Sequence, residues 1–308
     1  MPTPSHEARH LRDSRELISE PVTVTSTTLR EWRLPEPEGD KESRGRTLIV
    51  GGSDQTPGAV MLAAEAALRS GAGKLQVATV ASLAPLVAVM LPEALVLPLP
   101  EYGGDIAPEA AVDILDLADD ASSVLVGPGI RGADQCRALL GALVPKLRGP
   151  LVVDAVATAY VGADHTALHA LEGRAVITAN RQELALTLGI PRDEVDEDPA
   201  GATLELARRT QVTVTSGGEE TWTATPEGGL WRDQTGGVGL GVSGSGDVFA
   251  GIVCGLTARG ATPAQAAVWA AHIHGRAGDR LASAVGRVGF LARELPPEVP
   301  RVLAEIEV

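Results

Sequence analysis

The segment Val242 to Gly251, VSGSGDVFAG, carries the clearest chemistry in the chain, because a glycine-rich loop runs directly into an apolar helical window. Gly244, Ser245 and Gly246 there leave backbone N–H groups bare at a helix N-terminus, where unpaired donors and aligned peptide dipoles make an anion site. Phosphate is the natural ligand. Asp247 has two readings. An acid in the first turn of a helix is stabilised by the dipole by ~0.3–1 kcal/mol and needs no function. Beside a bound phosphate, however, a carboxylate is badly placed unless it accepts a proton, which makes Asp247 a candidate general base.

Other motifs are weaker. Gly127-Pro128-Gly129-Ile130-Arg131-Gly132 follows an apolar run, precedes a helical window and is trailed by Asp154, so its spacing meets the dinucleotide fingerprint and keeps a dehydrogenase reading open. The internal proline, and a place on about the fourth strand rather than the first, count against it. No Walker A pattern and no G-x-S-x-G elbow occurs. His272 and His274 lie two apart on a helical window and therefore point to different faces, unlike the i, i+4 pair of a zinc site; core packing or helix-end hydrogen bonds are expected for both. Trp222 and Trp231 flank the turn residues Thr225 to Gly229, which predicts a hairpin.

These residues need a scaffold. Short apolar runs at Thr47–Val50, Lys74–Ala78, Ala94–Leu97, Val124–Val126, Leu151–Val153, Ala175–Ile177 and Val212–Thr215 read as strands, several of them continuous and so buried on both faces. Helical windows lie between and after them, at Gly58–Arg69, Pro108–Leu117, Ala133–Leu147, Gln182–Leu188, Thr203–Arg209, Asp247–Arg259 and Pro263–Leu281. That rhythm predicts an α/β fold with a mainly parallel sheet and helices on both sides. Residues 1–22 carry mixed charge and few apolar positions and read as a disordered or loosely docked arm, before one domain over 23–308.

Composition narrows the class. The chain has 26 basic and 40 acidic residues, a formal charge of −14, which disfavours nucleic acid as a partner. Glu101 to Ser123 holds seven acids and no Lys or Arg, and reads as a solvated helix face. Only eight residues are aromatic, so Ala, Val and Leu must build the core. Cys136 and Cys254, far apart and among apolar neighbours, read as buried small hydrophobes of a reducing compartment. No run nears the ~18 apolar residues of a membrane span, so the expected setting is the cytoplasm.

The GSGD loop and its glycine-spaced helix resemble the signature of the ribokinase-like superfamily. Within it, the ordered set of Gly51 to Thr79, Leu91 to Leu95 (LPEAL), Val126 to Ile130 (VGPGI), Leu151 to Ala155 (LVVDA) and Ala270 to Asp279 (AAHIHGRAGD) is similar to the ADP/ATP-dependent NAD(P)H-hydrate dehydratases over roughly residues 41–300. The resemblance implies a three-layer α/β/α sandwich without a separate lid, and dehydration of (S)-NADHX or (S)-NADPHX to NADH or NADPH at the expense of ADP or ATP, with Mg²⁺. It places Asp247 and the Gly244–Gly246 loop in catalysis, and Ala59, Gly129, Asn180 and Asp247 at the substrate. Gly217, Gly218, Glu219, Glu220, Thr221 and Gly246 fall at the nucleotide, with Trp222 at its border. A tetramer and a separate NAD(P)H-hydrate epimerase as pathway partner are further implications.

Three positions depart from the family pattern. Asp154-Ala155-Val156 stands where a DAD triplet is common, Asn180 where a His contacts substrate, and Gly217 where a Lys precedes Gly218. Asn180 to Glu183 also resembles the N-x-x-E of sugar and vitamin kinases, in which the Glu holds magnesium through water; the same spacing is that of a capping box. A vitamin-alcohol kinase and a non-catalytic nucleotide-binding protein therefore remain as alternatives.

Overall fold

The computed structural model describes residues 20–36 and 39–307. Most of the expected arm, residues 1–19, lies outside the described residues, as do two residues of the polar loop before the first core strand. Val22, the last residue assigned to the arm, already belongs to strand β1 (Val22–Thr23), which pairs with β12 (Leu230–Asp233) at Val22↔Trp231.

All seven expected strands form: β2 (Arg46–Val50), β3 (Lys74–Val80), β4 (Ala94–Leu99), β7 (Ser123–Val126), β8 (Leu151–Asp154), β9 (Ala175–Asn180) and β10 (Thr213–Gly217). The stretch Leu48–Val50 is wholly buried, as a strand covered on both faces requires. Antiparallel β11 (Thr221–Ala224) and β12 form the expected hairpin, although Trp222 faces Arg232 and Trp231 faces Thr223, so the two indoles lie on opposite faces. A small antiparallel pair, β5 (Glu101–Tyr102) and β6 (Asp105–Ile106), completes the strands. Asp105 there departs from the expected solvated acidic face: it is buried and accepts the Arg131 N–H at 3.0 Å.

The main sheet has ten strands in the order β1-β12-β11-β10-β9-β8-β7-β2-β3-β4, parallel from β10 to β4. The chain builds outward from β2 through β3 to β4, then crosses back to lay β7 on the other side of β2. That reversal opens a crevice at the carboxyl ends of β2 and β7, the usual ligand position in such sheets.

The helices are α1 (Ser26–Glu31), α2 (Pro57–Arg69), α3 (Ala84–Met90), α4 (Ala111–Ala118), α5 (Ala133–Leu143), α6 (Thr158–Ala163), α7 (Arg181–Leu188), α8 (Arg192–Glu197), α9 (Pro199–Thr210), α10 (Ser245–Ala258), α11 (Pro263–Ala284) and α12 (Val299–Glu307). One layer holds α2, α10, α11 and α12; α4 to α9 cover the other face. Helix α10 is pressed onto α2. A Cβ at Gly251 would overlap the Ala63 carbonyl, and one at Gly255 would overlap that of Ala67. Two glycines four residues apart thus let the backbones touch and fix the start of α10 against the start of α2. Trp269 and Phe290 are the largest wholly buried side chains in a core otherwise made of aliphatics and alanine. Both cysteines are free and buried, and burial pushes each thiol up to about 12. No described helix is long and apolar enough to cross a membrane.

Candidate active site

The expected site residues converge on the carboxyl edge of the sheet. Helix α10 begins at Ser245, with Gly244 at its N-cap in the left-handed region at φ 91°, and no side chain caps it. The expectation of three bare amides changes in one respect. Ser245 N–H donates to the Val242 carbonyl at 3.1 Å, whereas among the described residues the amides of Gly246 and Asp247 have no protein acceptor. The loop closes a turn with its middle amide and offers the next two, which sit in the first helical turn where the dipole is strongest. Nothing stands within 4 Å of a Cβ position at Gly246, so the loop has room on that side. A Cβ at Gly244 would meet Leu62 of α2, which ties the loop to that helix.

A histidine supports the loop from behind. His274 Nε2 lies 3.0 Å from Ser245 Oγ, and its ring meets Phe249 edge-on at 5.6 Å. Burial pushes the imidazole down to about 4, so it is neutral. His272 faces elsewhere, its Nδ1 2.7 Å from Asp233 Oδ2 and its Nε2 3.3 Å from Ser26 Oγ. The two histidines thus do separate structural work, as their spacing predicted.

Asp247 is half-buried. Removal from water, then the nearby charge of Glu183, raise its carboxyl to about 6. Asp154, at the end of β8, is raised well above the ordinary range by burial first and by Asp247 second, while Thr178 Oγ1 donates to it at 2.6 Å. Glu183 is raised as well, chiefly by burial. Three carboxylates from β8, α7 and α10 therefore share one field. In the sequence Asp154 trails the Gly127–Gly132 motif and opens the Asp154-Ala155-Val156 departure without a role of its own; its signal is a carboxylate ending an apolar strand. The following Ala155 has φ 52°, a left-handed conformation that costs a non-glycine residue on the order of 1 kcal/mol and recurs at functional sites.

Asn180 and Glu183 form the capping box their spacing allowed. Asn180 Oδ1 accepts from the amides of Gln182 at 2.9 Å and Glu183 at 3.0 Å, and Glu183 Oε2 accepts from Asn180 N–H at 2.9 Å. The Asn180 side chain also hydrogen-bonds the Glu183 carboxylate, so the box ties the two residues together at this edge. Among the described residues no three His, Cys, Asp or Glu side chains are close enough to chelate a metal directly.

Ala59 and Gly129 lie together at the crevice between β2 and β7. A Cβ on Gly129 would stand 3.1 Å from that of Ala59 and 3.2 Å from Gly52 Cα, and Thr56 Oγ1 donates to the Gly129 carbonyl at 2.7 Å. The Gly127–Gly132 run thus lines this switch point with tight backbone packing: Gly127 is held so closely that a Cβ would overlap the Asp154 carbonyl. On the other flank, Gly217 ends β10 beside Asn180, and Gly218 to Glu220 bend into β11 at Thr221. Glu219 is exposed, while Glu220 is engaged by Arg232, whose Nε donates at 2.7 Å.

Sheet order, helix layers and this edge define a ribokinase-like protein. The fold superposes on a ribokinase-like superfamily protein of Enterococcus faecalis with a TM-score of 0.79 at 21% identity, covering 92% of this chain and 96% of that one. The ADP/ATP-dependent NAD(P)H-hydrate dehydratase of Bacillus subtilis, co-crystallised with ATP and Mg²⁺, gives 0.77 at 26% identity over 94% and 99%. The family model for NAD(P)H-hydrate dehydratase matches residues 47–301, and the chain belongs to that family. An ADP-dependent (S)-NAD(P)H-hydrate dehydratase of Xanthomonas campestris is 46% identical over 284 residues, 91% of this chain and 96% of that protein. Against a bifunctional NAD(P)H-hydrate repair enzyme of Moorella thermoacetica identity is 33%, and the chain spans 52% of its length.

Proposed function

We propose that this chain dehydrates (S)-NADHX and (S)-NADPHX to NADH and NADPH at the expense of ADP or ATP. The observation that carries the mechanism is a half-buried Asp247, raised to about 6, in the first turn of a helix whose Gly246 and Asp247 amides are free. The substrate hydroxyl loses its proton to Asp247 as it attacks the terminal phosphate of the nucleotide. The free amides of Gly246 and Asp247 stabilise charge on the phosphoryl group. The nucleotide departs one phosphate shorter, and phosphate then leaves the ring carbon as a proton is lost from the neighbouring ring carbon, an elimination that restores the dihydropyridine ring.

Ala59 and Gly129, at the crevice, and Asn180, at the end of β9, line the substrate side; Gly217 to Thr221 and Gly246 receive the nucleotide. Mg²⁺ fits the donor set in one way. Three mutually repelling carboxylates favour a cation, yet none of them forms a chelating trio, so Glu183 would hold the ion through water with phosphate oxygens completing its shell. Such an ion supplies charge neutralisation on the phosphates.

A cytoplasmic setting, a homotetramer and a separate epimerase as pathway partner complete the proposal, the last supported by the bifunctional relatives of about twice the length. The test is recovery of reduced-nicotinamide absorbance from the hydrate with ADP or ATP and Mg²⁺, and its loss in Asp247→Asn. A stable phosphorylated alcohol would instead mark a kinase, and full activity in Asp247→Asn would refute Asp247 as the base.

A further inference from the structure

The segments that meet at the carboxyl edge are acidic. Residues 51–59, 127–132, 154, 180–183, 217–220 and 244–247 contain six acids and two cations, Arg131, which Asp54 and Asp105 hold, and Arg181. In a chain of charge −14, whose site already gathers three carboxylates, a polyphosphate needs more than neutral amides to bind.

Arg181 is also locally misplaced. It is the first residue of α7, where the helix dipole disfavours a cation, and nothing in the helix signal calls for arginine there. A residue that breaks a local rule needs a compensating role elsewhere. Its guanidinium is instead directed across the edge to Gly218: a Cβ at 218 would overlap Nε and stand 2.8 Å from Cζ and Nη2. Any side chain at 218 would expel it. At Gly217, by contrast, nothing lies within 4 Å of a Cβ position and the backbone is not left-handed, so that flank is open.

The charge of Arg181 is not cancelled where it stands. Its Nη1 donates to Asp196 Oδ1 at 3.2 Å, but Asp196 also accepts from Arg192 Nε at 2.9 Å, so two guanidiniums share one carboxylate and a unit of positive charge remains. The side chain retains 16% of its exposure. Its field reaches the β10–β11 turn, since Glu220, held below the ordinary range chiefly by its hydrogen bond from Arg232, is lowered further by Arg181.

We infer that Arg181, seated over Gly218 and held by Asp196, contacts the phosphates of the nucleotide and supplies the cation of this site. The inference rests on the placement of the nucleotide at Gly217 to Thr221. Arg181 is then a specificity-determining residue: it discriminates by phosphate charge, and it makes Gly218 part of nucleotide recognition.

The experiment measures binding of ADP, ATP and adenosine to the full chain by calorimetry, with KM for each nucleotide, in four variants. Arg181→Ala should weaken ADP and ATP by about tenfold or more, as expected for loss of a charge-assisted hydrogen bond, while adenosine binding and the KM for the hydrate stay within about twofold. Asp196→Asn, which releases Arg181, should leave ADP and ATP bound at least as tightly as in the parent. A structural role alone would weaken binding in both variants, and that result would overturn the inference. Arg181→Ala/Gly217→Lys should recover most of the lost affinity, because the open flank admits a cation from the other side, and Gly218→Ala should resemble Arg181→Ala. Unchanged ADP and ATP affinity in Arg181→Ala, or an equal loss for adenosine, would refute the assignment. Failure of the parent chain to bind any nucleotide would refute the proposed function itself, and is thereby distinguished from failure of this inference.

Discussion

If Asp247 is the base, the reaction must report its ionisation. With a carboxyl raised to about 6, Asp247 is roughly nine-tenths ionised at pH 7 and about one-tenth ionised at pH 5, so kcat/KM should fall about tenfold between them along a limb of unit slope. An ordinary aspartate near 3.9 would lose under ~10% of its ionised form over the same range. Two physical causes, burial and the Glu183 charge, lift the group, and they can be separated. Glu183→Gln removes the second and leaves the first, so the limb should move to lower pH without returning to the ordinary aspartate range. A bound phosphate adds negative charge, so the limb in kcat should lie at or above that in kcat/KM. The assay is the initial rate of nicotinamide recovery from pH 4.5 to pH 8 (values on the order of common buffer ranges) at saturating and limiting hydrate. In Asp247→Asn the rate should drop by about 10²–10⁴ and the limb should vanish. A profile flat to about pH 5, or a limb that persists in Asp247→Asn, would refute the reasoning.

Other consequences concern the scaffold. Asp154 is protonated more readily folded than unfolded, so its contribution to stability is complete below its unfolded pKa and is lost as pH rises toward its folded one. Asp154→Asn should therefore raise the melting temperature relative to the parent more at pH 8 than at pH 4 (roughly one unit either side of the active range), and equal shifts in thermal melts would count against it. Gly251→Ala drives a methyl into the Ala63 carbonyl and should cost about 1–3 kcal/mol in urea unfolding, with lost activity as α10 moves off α2; a neutral variant would show that the contact is loose. His274→Ala removes the partner of Ser245 Oγ and a buried ring, and should cost about 2–4 kcal/mol by the same measurement, with a lower kcat/KM. Because the ring is neutral, the pH limb should keep its position in that variant.

Local signals were legible where short-range physics decides. Continuous β-branched and leucine runs marked Leu48–Val50, Leu151–Val153 and Ala175–Ile177 as strands, and the Asn180–Glu183 spacing foretold a capping box whose bonds all form. The helices left unread share a cause. Ser26–Glu31, Thr158–Ala163 and Arg192–Glu197 are six residues each, too short for a periodic stripe to show, and Ala84–Met90 is apolar nearly throughout. Val299–Glu307 follows a proline-rich stretch that masked its start, although its buried Val299, Val302, Leu303 and Ile306 keep helical spacing.

The sequence by itself determined the anion loop, its acid, the order of strands and helices and, through the ordered motifs, the family. Those follow from neighbours a few residues apart, where backbone geometry and side-chain period act directly. Only the tertiary structure decided which loop amides stay free, that Asp154 from a strand and Glu183 from another helix share one field with Asp247, and that Arg181 reaches over Gly218. Each of these depends on groups brought within a few ångströms by sheet order and by the glycine contact of α10 on α2, and electrostatic coupling is set by that separation and by burial rather than by distance along the chain.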